Sequence, residues 1–205
     1  MTALGVLAVL WAGGVSPAFA ECRKELAASC QGATLDRIDW RGANLDGADF
    51  RNAVLVHANF AGASLRGADL RGANLQQARL EQADLAGANL EGADLRWASL
   101  ENSNLAKARF NRARMDKSDL ENADLSQATL AGADLTRADL VAADLQQANL
   151  QGVRLDGAYM NYANLKQANL VGASVTRTRL IGARLKEARW IDGRTCKAPS
   201  IGACN

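Results

Sequence analysis

Proline is missing from residues 18 to 198; the chain of 205 residues carries only Pro17 and Pro199. Since proline cannot donate to a β-ladder, this leaves every backbone N–H of the long middle stretch free to pair. Aromatic residues make up 5% of the chain, too few for a globular core of mixed bulk or for a nucleic-acid surface built on base stacking. There is one histidine, His57, so no histidine pair can hold a metal, and a lone histidine offers poor material for acid–base catalysis. No P-loop and no dinucleotide-binding glycine pattern occurs. The net charge of +2 excludes a continuous acidic surface.

What the chain does have is a period of five. From Leu35 to Trp190 every residue whose number is a multiple of five is apolar, an unbroken run of 32 pentads of which 24 carry Leu there and 27 carry Ala two places earlier. Five steps of a helix turn a side chain by about 140°, and five steps along a strand flip it to the other face. Neither a helix nor a straight strand gathers these leucines. A chain that turns a corner every five residues does, because each Ala and the Leu two places on then point to one interior.

The pentads Ala43-Asn44-Leu45-Asp46-Gly47, Ala68-Asp69-Leu70-Arg71-Gly72 and Ala133-Asp134-Leu135-Thr136-Arg137 resemble the pentapeptide repeat family, A(D/N)LXX. The resemblance covers 31 to 190. It implies an all-β fold, the right-handed quadrilateral parallel β-helix, with four pentads per coil and about eight coils. At the usual strand spacing of about 4.8 Å per coil such a rod is roughly 38 Å long. Twelve glycines lie two places after the central residue, at the corners, where an open backbone angle is cheap.

The ends differ from the middle. Residues 3 to 20 contain no charge and finish Ala18-Phe19-Ala20, the pattern of a secretory signal with a small-x-small cleavage site at 1–20. No Lys or Arg precedes the apolar stretch, so a start further upstream and a retained anchor stand as alternatives; Glu21 before Cys22 fits lipid attachment poorly. Cys22 and Cys30 flank one end of the repeats, and Cys196 and Cys204 the other. In a rod of this length the two ends lie too far apart to be bridged, so local disulfides Cys22–Cys30 and Cys196–Cys204 are expected. Metal-binding or free thiols are the alternative. Disulfides agree with export to the periplasm or the extracellular space. A solenoid ends in an open bore and unpaired strand edges, so 21–30 is expected to cover the first coil as a short helix or turn, and 191–205 the last, with Trp190 and Ile191 closing the column.

Four pentads per coil stack residues that lie 20 apart. One such column reads Asn74, Asp94, Arg114, Asp134, Arg154, an ion ladder of alternating sign. Another reads Glu81, Glu101, Glu121, three carboxylates that splay into water or else form a contact surface or a loose cation site, with Arg41 and Arg79 on the same face. Lys107, Arg109, Arg112, Arg114 and Lys117 form a basic cluster. After residue 170 Arg177, Arg179, Arg184, Lys186, Arg189, Arg194 and Lys197 stand against only Glu187 and Asp192. Trp97, Tyr159 and Tyr162 are the expected exposed aromatics. Tyr159 precedes Arg179 by one coil, a cation–π spacing. Val141 and Ile181 lie near it, and Val171 and Ile191 are expected around the next corner. Tyr159, Tyr162, Arg179 and Ile181 are therefore the candidate interface.

The functional expectation is a non-catalytic exported rod that displays flat faces to an unidentified protein partner, with no cofactor and no small-molecule substrate. The alternative is binding of anionic lipid or polymer at an envelope surface through the basic C-terminal end. The family's best-known activity, inhibition or protection of DNA gyrase by DNA-like acidic rods, fits less well, because the charge is +2 and the apparent signal leads away from the cytoplasm. Nucleic-acid binding is disfavoured by the interleaved acidic residues. Capped ends suggest a monomer or a weak side-to-side dimer.

Overall fold

The computed structural model describes Cys22 and residues 28–205. The expected signal segment 1–20, and most of the expected N-terminal helix or turn, lie outside the described residues. From Ser29↔Asp49 to Asn169↔Arg189, every parallel bridge joins a residue to the one 20 places on. The coil is therefore four pentads long, and the multiples of five stack in four inward columns that fill one bore.

Within a pentad the central residue donates its N–H to the next coil, as in Leu45 to Ser64 at 2.7 Å, and the residue before it donates to the previous coil, as in Asn74 to Ala53 at 2.9 Å. The corner closes by a bond from the next pentad's first residue back to the central carbonyl, Ala48 to Leu45 at 3.0 Å. Positive φ falls on the second corner residue alone, the pattern of a type II turn. Two residues of every five are thus turn, and each side of the coil holds one bridging residue rather than an extended strand.

The twelve expected corner glycines all hold positive φ, and so do 19 non-glycine residues at the same position, His57, Trp97 and Tyr162 among them, with φ between 56° and 64°. The strain costs about 1 kcal/mol at each. The corner N–H recovers it by bonding the coil beyond, as Tyr162 does to Ile181 at 2.8 Å.

Ala and Leu fill the bore with almost no exposure from Leu45 to Leu170. Near the N-terminal end the column thickens, because Trp40, Phe50 and Phe60 pack with ring centroids 5.9 to 6.0 Å apart. Ser103 and Ser118 replace alanine inside the bore. Each turns its hydroxyl onto the carbonyl three residues back, Leu100 at 2.6 Å and Met115 at 2.7 Å, so no buried group is left unpaired there.

Both expected disulfides form, with Cα–Cα separations of 4.6 Å for Cys22–Cys30 and 4.9 Å for Cys196–Cys204. Cys30 occupies the inward central position of a pentad and is 1% exposed. At the other end residues 195–201 run back antiparallel to the last coil through Arg184↔Ile201 and Arg189↔Thr195. Leu185 and Glu187 donate to Ser200 and Cys196, both at 2.9 Å, so coil groups that would otherwise face solvent are paired. Trp190 and Ile191 pack against the end of the core.

Candidate interaction face

The coil's four outward sides can be labelled from one turn of the chain. Side I carries Ser99 and Glu101, side II Asn104 and Ala106, side III Arg109 and Asn111, and side IV Arg114 and Asp116. Residues 20 apart share a side. Asp and Asn dominate the position before the central residue for a reason not visible in the periodicity. Their side-chain oxygen accepts the N–H two residues on, Asp124 from Ser126 at 2.8 Å and Asn104 from Ala106 at 3.1 Å, which braces the corner.

Where that Asp is followed two places on by Arg, the pair closes on itself: Asp49–Arg51 and Asp69–Arg71 at 2.6 Å, Asp94–Arg96 and Asp39–Arg41 at 2.8 Å. The guanidinium hydrogen bonds hold Asp49 and Asp69 below the usual carboxylate range, against an opposing effect of partial burial. Burial is the largest influence on Asp94 and pushes it up, but the bonds from Arg96 outweigh it and leave the group lowered. The expected ladder is present as two separate pairs, Arg114–Asp94 at 3.4 Å and Arg154–Asp134 at 3.1 Å. The within-pentad pairs were missed, although Asp-x-Arg spells them in the sequence.

The expected basic cluster is dispersed. Arg109 lies on side III against Glu91 at 3.5 Å, Arg114 on side IV against Asp94, and Lys117 at the next corner over the Trp97 ring at 4.3 Å. Ten residues of a 20-residue coil span half its circumference, so neighbours in sequence part in space. The same geometry corrects the placement of Val171 and Ile191, which share side III, opposite Tyr159 and Ile181 rather than around the next corner.

The candidate interface residues do come together. The Arg179 guanidinium lies 4.8 Å from the centre of the Tyr159 ring on side I. Ile181 is 67% exposed on the same side, and Tyr162, 64% exposed, stands at the corner between sides I and II. The closing segment adds Ile201, 63% exposed and bridged to Arg184, a placement that no repeat announces. The patch is apolar at its centre and cationic at its border.

The acidic column occupies the middle of side I. Glu81 pairs with Arg79 at 3.2 Å, whereas Glu101 is pushed above its ordinary range by sharing a hydrogen bond with Asp119 and by the negative charge of Asp119, Glu121 and Glu81. Among the described residues no group of three His, Cys, Asp or Glu side chains could hold a metal ion. A shallow groove of about 450 Å³ on another corner is lined by Thr136, Arg137, Asp156, Gly157 and Arg177. Asp156 there accepts bonds from the Ser174 hydroxyl at 2.6 Å and the Thr176 amide at 3.0 Å, which lower its pKa. Half-buried His57 sits at a corner, apart from these groups.

The architecture is that of a parallel solenoid with a five-residue side. The family of pentapeptide repeats matches in eight copies, over 28–67, 63–102, 93–130, 118–157 and 158–189. The chain belongs to the pentapeptide repeat family. Among solved structures it is similar to HetL, involved in heterocyst differentiation regulation in the cyanobacterium Nostoc sp. strain PCC 7120, with 33% identity, 82% of this chain and 86% of that one covered, and a TM-score of 0.48. QnrB1, a plasmid-mediated fluoroquinolone resistance protein, is 20% identical over 80% of this chain and 79% of its own, with a TM-score of 0.45. A pentapeptide repeat protein of the Arabidopsis thaliana thylakoid lumen is 30% identical over 55% of this chain and 72% of its own, with a TM-score of 0.23. No curated protein sequence matches the chain.

Proposed function

We propose that this protein is an exported, non-catalytic rod, a right-handed quadrilateral β-helix closed by disulfide-bonded ends at 21–30 and 191–205, which holds a macromolecular partner against its C-terminal end. One observation carries the reading. Tyr162 and Ile181 are more than half exposed on a backbone that is hydrogen-bonded at every corner, beside Tyr159 and Arg179. Aromatic and arginine side chains fixed in this way bind at little cost in conformational entropy. The charge-free stretch at 3–20 and the two disulfides support export to an oxidising compartment.

The test is crosslinking in intact cells, followed by comparison of partner recovery by wild type and by a variant combining Tyr162→Ser, Arg179→Ala and Ile181→Ser. Loss of capture with an unchanged circular dichroism spectrum supports the interface; equal recovery refutes it.

A second reading has its own observation. Arg177, Arg179, Arg184 and Arg189 encircle the last coil and make no ion pair among the described residues. A cationic ring at the tip of a rod fits an anionic lipid or polymer surface. Binding to anionic vesicles at low salt, lost as salt rises, favours this reading, and no binding at low salt removes it. A DNA-like role in topoisomerase regulation ranks third, because the faces carry charges of both signs.

A further inference from the structure

We infer that side I pairs with side I of a second copy, the two rods lying antiparallel in one register. This deepens the interface reading above and rests on it, by naming the partner of that face. Charge is handled differently on different sides of the rod. Sides III and IV neutralise themselves through Asp49–Arg51, Asp69–Arg71, Arg109–Glu91, Asp94–Arg96, Arg114–Asp94 and Arg154–Asp134. On side I, from Ser99 onward, no ion pair forms among the described residues. Glu101, Asp119, Glu121 and Asp139 stand together in the middle coils, and Arg179 stands alone on the last. The acidic stretch and the cation are too far apart along one rod to meet, and their separation is a whole number of coils.

That integer spacing sets the register. A twofold axis crossing side I between the coil of Asp139 and the coil of Tyr159 brings Arg179 of each copy opposite Asp119 of the other, with Glu121 beside it. The same operation sets the Tyr159 hydroxyl opposite Asp139. At the corner bordering side II the exposed ring of Tyr162, which lies over Gly182, comes level with the exposed Asn122 of the other copy, whose small Ala142 stands one coil away. Along the other border Arg177 meets Lys117, like charges that keep those edges apart and confine contact to the strip beside Tyr162. Each rod's crowded carboxylates gain a counter-ion that its own chain does not supply.

The strip covers four coils, about 19 Å at about 4.8 Å each. Its area falls well short of the roughly 800 Å² per partner of a standard stable interface, so the dimer is weak and dominated by charge. It forms at high concentration and dissolves as salt shortens the Debye length.

Sedimentation equilibrium of the purified protein at concentrations up to the millimolar range tests the pairing. Expected are self-association at low salt, its loss in 0.5 M NaCl as a roughly tenfold or greater weakening, and a similar weakening by Arg179→Glu alone or by Asp119→Arg with Glu121→Arg. The two variants mixed restore association, because each then supplies the charge that the other has reversed. Arg154→Glu, on side IV, leaves association unchanged. A protein monomeric under all conditions, a dimer indifferent to salt, or a mixture that stays monomeric overturns the inference. None of these results touches the crosslinking comparison above, so failure of self-pairing and failure of the interface are read separately.

Discussion

Tyr162 lays its ring over the backbone of Gly182 one coil further on, so closely that a Cβ on Gly182 would stand 2.5 Å from the ring's Cδ1. Gly182 also has φ of +72°, so an alanine there meets both strain and collision. Gly62, at φ +66° with nothing within 4 Å of its virtual Cβ, meets strain alone. Gly182→Ala is expected to cost about 2 kcal/mol and Gly62→Ala about 1 kcal/mol. Denaturant titration compares them, and a change in Tyr162 fluorescence belongs to Gly182→Ala only.

The bore is a single column, so a void in it has nowhere to collapse. Leu100→Ala is expected to destabilise by about 3–5 kcal/mol. Ser103→Ala, which removes a hydroxyl bonded only to the Leu100 carbonyl, returns the position to the chain's usual residue and is expected to fall within about 0.5 kcal/mol of wild type. Equal effects of the two changes would contradict a close-packed bore.

Asp94 accepts from Arg96 through both oxygens and stands 3.4 Å from Arg114 one coil on. Asp94→Ala removes both ion pairs and the corner brace, for an expected loss of about 1–2 kcal/mol. Asp94→Asn keeps an oxygen for the brace and is expected to lose less than half of that. Thermal melts of the two variants side by side measure the difference.

Two opposite pH dependences are built into the faces. Asp49, Asp69 and Asp94 lie below their ordinary 3.8 when folded, so the stability they contribute is complete above that value and is lost as pH falls through their folded values. Glu101 lies above its ordinary 4.5, so its contribution is complete below that value and is lost as pH rises through the folded one. Glu101→Gln is therefore expected to raise the melting temperature at pH 7 and to leave it unchanged at pH 3. A melting temperature unchanged at pH 7 would show that the carboxylates of side I do not repel.

Cys196–Cys204 closes a short loop over the last coil, worth about 2–3 kcal/mol on chain-entropy grounds. Replacing both cysteines by serine is expected to leave the inner coils intact and to speed hydrogen exchange at Leu185, Glu187 and Cys196→Ser, whose N–H groups are bonded through that segment. Exchange read residue by residue distinguishes this local opening from global loss.

The five-residue period made the column of leucines legible, and the resemblance supplied the four-sided coil that the n to n+20 bridges show. The surface was legible only in part. Columns could be read once the coil length was known, and Tyr159 under Arg179 followed directly. The scattering of Lys107 to Lys117 and the opposed placement of Val171 and Ile181 depend on counting sides around the coil as well as coils along it. Ile201 joins the patch through an antiparallel return that has no repeat to announce it. The corner positions followed from the period, whereas the bond that offsets the strain at the non-glycine corners reaches into the neighbouring coil and has no local signature.

Because each residue is bridged only to those 20 before and after it, the rod is a stack of storeys rather than a closed architecture. Deleting one whole storey would bring its two neighbours into the same contacts that they already make. Height is thus the one dimension a gene can alter by duplication or loss without redesigning a joint, and it sets how far the tyrosine-bearing tip stands from the first disulfide.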